Sequence, residues 1–167
     1  GQPLTPAEFQ VNTFTTNAQT TPSVAMDADG DFVVTWQSYN QDGAGYGIYA
    51  QRYSSTGLPV GGEFRVNTYT TNWQHQPDVA MDADGDFVVT WQSYDQDAAL
   101  SYGIYAQRYS KAGVPQGVEF RANTFTTNDQ RAPAIAIDAD GDFVITWHSY
   151  AQDGSGFGIY ARRYSAA

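Results

Sequence analysis

One unit of sequence is written three times in this chain, and that repetition limits the fold more than any other feature. Trp36, Trp91 and Trp147 recur in matching Thr-Trp contexts 55 and 56 residues apart, and Phe9, Phe64 and Phe120 keep the same spacing. Self-similarity at such a period marks arrays and propellers, in which each unit buries its apolar face against the next. The copies run approximately over residues 7-61, 62-117 and 118-167, within a single repeat domain. The second copy's extra residue falls between Asp97 and Tyr102, in place of the shorter run from Asp42 to Tyr46. An insertion there, with both flanks intact, marks an exposed loop.

The local pattern of each copy is that of strands. In the second copy, residues 64–69 alternate apolar and polar side chains, Val79-Ala80-Met81 follows a polar stretch ending at Pro77, and an Asp-Gly turn leads into Phe87-Val88-Val89-Thr90-Trp91. Residues 104–109 supply another run rich in β-branched and aromatic residues. No segment keeps a 3.6-residue apolar period, so almost no helix is expected. Phe87, Val89 and Trp91 point one way and Val88, Thr90 and Gln92 the other, so both faces of the sheet are covered, as between propeller blades.

The fold class is therefore all-β: three four-stranded propeller-type repeats per chain, with the short Val-Ala-Met strand innermost and the Glu-Phe-Arg-Val-Asn strand outermost. A β-trefoil, the competing architecture of four strands per unit, asks for shorter units than 55 residues. The chain opens on an outer strand, residues 9–14, and closes on a third strand, residues 159–164. A closed propeller usually needs about four to eight blades, so three cannot latch alone. The expected partner is the chain itself: a homodimer of six blades is favoured, a trimer of nine is the alternative, and each leading strand completes another chain's last sheet. A piece cut from a longer array is the competing explanation; it would leave an apolar face and an unpaired edge open.

Charge narrows the other partners. The formal net charge is -10, and nine of the 18 acidic residues lie in three identical segments, so the charge belongs to the repeat. Such a surface repels phosphate backbones and anionic lipid, which argues against nucleic acid and membrane as partners. No apolar run approaches the length of a membrane span, and no signal-peptide pattern precedes Gln2. The absence of Cys removes disulfides and thiol chemistry.

Three groups of residues are candidate sites. Asp27, Asp29 and Asp31, with Asp82, Asp84 and Asp86 and with Asp138, Asp140 and Asp142, invite calcium, because hard cations take several carboxylate oxygens from a short loop. Calcium is the one cofactor these residues admit; no other is expected. The spacing departs from an EF-hand loop, and an Asp-Gly hairpin turn explains the same residues. Tyr39 with Asp42, Tyr94 with Asp97, and Tyr150 with Asp153 put rings and carboxylates in the inserted loop, a combination that suits a glycan. The competing use of those rings is packing between blades. Arg52, Arg108 and Arg163 recur among few cations and are expected to pair with repeated Asp residues between blades.

No catalytic constellation emerges. His75 and His148 occupy different repeat positions, and the paired carboxylates recur without the asymmetry that splits acid and base roles. An enzyme is not expected. The first expectation is a self-assembling scaffold without catalysis, the second a multivalent carbohydrate-binding or calcium-dependent adhesion module, and a glycosidase is the remote alternative.

The run Val-Ala-Met-Asp-Ala-Asp-Gly-Asp-Phe-Val-Val-Thr-Trp-Gln-Ser-Tyr, followed by Gly-Ile-Tyr-Ala-Gln-Arg-Tyr, resembles tandem repeats of large secreted or surface proteins of bacteria. The resemblance covers nearly the whole chain. It implies a secreted or cell-surface location and a binding or structural role, and it carries over no catalytic residues.

Overall fold

The computed structural model describes residues 7–166, which form eleven antiparallel strands and no helix. No helix among the described residues is therefore long and apolar enough to cross a membrane. The strands are β1 (Gln19–Met26), β2 (Phe32–Tyr39), β3 (Tyr46–Tyr53), β4 (Pro59–Arg65), β5 (Gln74–Met81), β6 (Phe87–Tyr94), β7 (Tyr102–Tyr109), β8 (Pro115–Arg121), β9 (Gln130–Ile137), β10 (Phe143–Tyr150) and β11 (Phe157–Tyr164). They make two four-stranded sheets, β1-β2-β3-β4 and β5-β6-β7-β8, and one three-stranded sheet, β9-β10-β11. Each sheet is a simple up-and-down meander, and the first two draw their last strand from the start of the next sequence copy.

The strand bounds differ most from the sequence expectation at the innermost and outermost strands and at the start of the chain. The innermost strand is longer than Val-Ala-Met: β5 reaches back to Gln74, past Pro77. A bulge between His75 and Asp78 absorbs the proline, which cannot donate to the ladder. The outer strand starts earlier and ends sooner, at Pro59–Arg65 and Pro115–Arg121. Residues 9–14 form no strand at all. A strand needs a ladder partner, and among the described residues no third strand of this chain lies beside that segment.

Consecutive sheets stack face to face. Val33, Ile48 and Ala50 of the first sheet pack on Val79, Phe87, Val89 and Trp91 of the second. Val88, Ile104 and Ala106 of the second pack on Phe143, Ile145 and Trp147 of the third. Both interfaces bury nearly the same residue types from the same repeat positions. Burying such side chains stabilises by about 1.5–3 kcal/mol each, so these two seams are where the molecule gains most of its stability.

Candidate functional site

The acidic segments are hairpin turns held by their own first carboxylate. Asp27 Oδ1 accepts the amides of Asp29 and Asp31 at 3.0 and 2.9 Å, and Gly30 takes φ 88°, open to glycine at no steric cost. Asp82 Oδ1 accepts the amides of Asp84, Gly85 and Asp86, and Asp138 Oδ1 those of Asp140 and Asp142. The last carboxylate of each turn reaches the neighbouring turn of its own sheet. Asp31, Asp86 and Asp142 accept the amides of Ser55, Lys111 and Ala166 at 2.8, 2.7 and 2.8 Å. Two of the three carboxylates in every turn thus serve the backbone, and no group of three or more potential metal ligands is assembled among the described residues.

A cation nevertheless enters the first turn. Lys111, from the second sheet, places Nζ 3.2 Å from Asp27 Oδ2, 3.7 Å from Asp31 Oδ2 and 3.9 Å from Asp29 Oδ2. Burial works to raise the Asp27 pKa, but the Lys111 ammonium and the amides of Asp31 and Asp29 outweigh it and hold the carboxyl below its usual range. The second turn lacks such a lysine because Ala166 stands at the matching position of the third sheet.

Tyr39, Tyr94 and Tyr150 lie on the opposite side of the blade from Asp42, Asp97 and Asp153. The rings pair with the first residue of the next strand: Tyr39 with Tyr46 at 4.9 Å, Tyr94 with Tyr102 at 5.0 Å, Tyr150 with Phe157 at 5.1 Å. The carboxylates fold over the residue after it, Gly47, Gly103 and Gly158, where an added Cβ would come within 2.8, 2.5 and 2.8 Å of Oδ2. Successive strand residues face opposite ways, so each ring and its carboxylate are separated by the sheet. Asp97 is 1% exposed, accepts from Asn123 Nδ2 at 3.1 Å and has Arg121 at 3.8 Å.

The expected Arg–Asp pairing between blades is corrected as well. Arg52 donates to the Lys111 carbonyl, Arg108 lies over the Phe143 ring 5.8 Å from its centroid, and Arg163 pairs with Asp142 of its own sheet at 3.0 Å. Two of the three arginines do bridge blades, but through a carbonyl and a ring.

A cluster that the repeat hides lies where the first two sheets meet the third. His75 sits against Tyr46 at 5.1 Å, Trp73 at 5.6 Å and Tyr102 at 6.0 Å. Trp73 also faces Tyr94 at 6.4 Å and remains 49% exposed. Arg131, paired with Asp129 at 2.7 Å, lies over the Tyr102 ring at 4.7 Å. Burial, helped by Arg131, lowers the His75 pKa to about 4, so the ring is neutral at neutral pH. A cleft of about 260 Å³ opens beside it, lined by Thr21, Gln37, His75, Gln76, Gln92 and Tyr102. The signal was present in the sequence as a departure: Ala18 and Asp129 stand where the second copy has Trp73.

The two end faces are bare. Val24 and Met26 are 61% and 60% exposed, whereas their repeat counterparts on the second sheet are 5% exposed at Val79 and half-buried at Met81. At the other end Phe157 and Ile159 are 56% and 78% exposed, whereas Ile48 and Ile104 are fully buried.

No family model matches the chain, and no curated protein matches it. Among solved structures it is similar to the crystal structure of an endo-arabinase from Bacteroides thetaiotaomicron VPI-5482, with a TM-score of 0.54 at 14% identity, over 89% of this chain. The chain spans 57% of that enzyme's length. At this identity the likeness shows the fold alone, a succession of antiparallel sheets consistent with propeller blades. It also corrects the expectation that an even repeat without a triad is no enzyme, because an enzyme is built on the same architecture.

Proposed function

We propose that this chain is a self-assembling propeller module whose ring closes through further copies of itself, giving a platform for interaction. One observation carries this reading: the two bare end faces have the residues of the two internal seams. Val24, Met26, Phe32 and Val34 on the first sheet match Val79, Met81, Phe87 and Val89, which are packed under a neighbour. Val144, Ile159 and Ala161 on the third sheet repeat Val88, Ile104 and Ala106 of the second. A surface that already packs against its complement twice within the chain has a third complement on another copy. Such head-to-tail contacts close when the rotation brings the last copy back to the first. Two chains of three sheets make six blades, inside the range of about four to eight that propellers use. Multi-angle light scattering should return twice the 18.3 kDa of one chain. A monomer at every concentration would remove this reading and leave the faces to a partner of other sequence.

A second reading, glycan binding, is supported by the half-exposed Trp73 ring beside His75 and Tyr94. An exposed ring flanked by polar groups is the stacking surface that sugars use. Glycan-array binding lost in Trp73→Ala, with assembly unchanged, would support it; no binding by the parent chain would exclude it.

A further inference from the structure

We infer that residues 9–14 of one copy form the fourth strand of the next copy's last sheet, so that neighbouring chains share a blade. This rests on the ring-forming reading and names its latch. The third sheet has three strands where the others have four, and among the described residues β11 has no partner on its outer side.

Residues 9–14 already sit on the first sheet as the ends of β4 and β8 sit on the second and third. Phe9 lies 5.3 Å from Tyr53, as Phe64 lies 5.5 Å from Tyr109 and Phe120 5.4 Å from Tyr164. The three tyrosine hydroxyls donate to the carbonyls of Val11, Val66 and Ala122 at 3.2, 3.2 and 3.4 Å. The Thr13 and Thr68 amides each donate to a glutamate, Glu63 and Glu119, at 2.6 Å. Three points of contact therefore give residues 9–14 the pose of an outer strand leaving a preceding blade.

At the internal seams the same positions also pair backwards. Phe64 is opposite Ala50 and Phe120 opposite Ala106. The Val66 and Ala122 amides donate to the carbonyls of Ile48 and Ile104 at 2.8 and 2.7 Å. The Ile48 and Ile104 amides donate in turn to Asn67 Oδ1 and Asn123 Oδ1, both at 2.7 Å. Transferred by the repeat, the register between chains is set: Phe9 opposite Ala161, the Val11 amide to the Ile159 carbonyl, and the Ile159 amide to Asn12 Oδ1. Asn12 is oriented for this, since its Nδ2 donates to the Phe14 carbonyl at 2.8 Å and to Gln19 at 3.3 Å. Asn67 uses its own Nδ2 in the same way, toward the Tyr69 carbonyl and Gln74, while its Oδ1 holds the preceding blade.

The chain has no Cys, which makes a cross-link test clean. Directly opposed strand residues stand about 4.5–5.5 Å apart at Cα, within disulfide reach. The doubly substituted chain Phe9→Cys/Ala161→Cys, oxidised, should run as a covalent oligomer on a denaturing gel and return to single chains on reduction. Asn12→Ala, which leaves Phe9 in place, should weaken assembly by about ten-fold, as expected for a buried amide stripped of its acceptor. If both variants assemble like the parent and no cross-link forms, the latch is overturned while the ring-forming reading stands. If the chains are monomeric, or the disulfide closes within one chain, both fall.

Discussion

β7 and β11 are almost the same octapeptide, YGIYAQRY and FGIYARRY, in opposite surroundings. β7 is buried over nearly its whole length, between β6 and β8 in its sheet and beneath the third sheet. β11 is exposed or half-buried at every residue, with an open edge and an open face. Ile104 is fully buried and its counterpart Ile159 is 78% exposed. Burial here belongs to the neighbour more than to the strand, so one residue type is buried under a neighbouring sheet in β7 and left open in β11.

The largest effect should come from the pair that defines this contrast. Ile104→Ala leaves a cavity in a filled seam and should cost about 2–5 kcal/mol of folding stability by denaturant titration. Ile159→Ala should leave the unfolding of dilute single chains nearly unchanged and raise the concentration needed for assembly. Equal losses at both sites in dilute monomer would mean that the two strands are not in different environments.

Acid sharpens the contrast next, because one internal seam carries a half-buried histidine. The His75 pKa is lowered to about 4, so the unfolded chain binds this proton more readily than the folded one. The stability that neutral His75 contributes is present above about pH 6.5 and is lost as pH falls from there toward 4. His75→Thr, which installs the residue of the first copy at Thr20, should flatten the unfolding midpoint between pH 7 and 5. A parent chain whose midpoint does not move over that range would remove the account built on a neutral His75.

A smaller change is expected at the closing seam. Internally Gln37 and Gln92 reach across to the left-handed residues Gln76 and Ala132, each accepting that residue's amide at 2.9 Å. The matching residue of the third sheet is His148, and the amide it would meet on another copy is that of Thr21, at φ 51°. His148→Gln should tighten assembly a few-fold in sedimentation velocity. A variant that assembles less well would count against end faces that copy the internal seams.

The smallest effect belongs to Lys111, which ties the rim of the first seam. Its ammonium is half exposed beside Asp27, so salt screens it. Lys111→Ala should lower the unfolding midpoint slightly in low salt and not at all in high salt. A loss that survives high salt would point to packing by the lysine stem.

Much of this was legible from residues alone. The Trp and Phe spacings announce three units, and the Asp-Ala-Asp-Gly-Asp segments announce hairpin turns, because those turns close with hydrogen bonds spanning four residues at most. The candidate sites were less legible. Tyr94 and Asp97 are close in sequence, yet their side chains lie on opposite faces, since the loop carries each to a different residue of the next strand. Lys111 in the first acidic turn comes from 84 residues away, a contact that no local pattern encodes. Residues 9–14 read as a strand, but a strand is defined by its ladder.

By itself the sequence determined the strand alternation, the turns and the three-fold unit, all products of interactions within a few residues and of the period-two geometry of extended chain. Only the tertiary structure decided which copies of those identical residues are buried and which are bare. Burial requires a second surface at van der Waals distance, and that surface arrives from another blade.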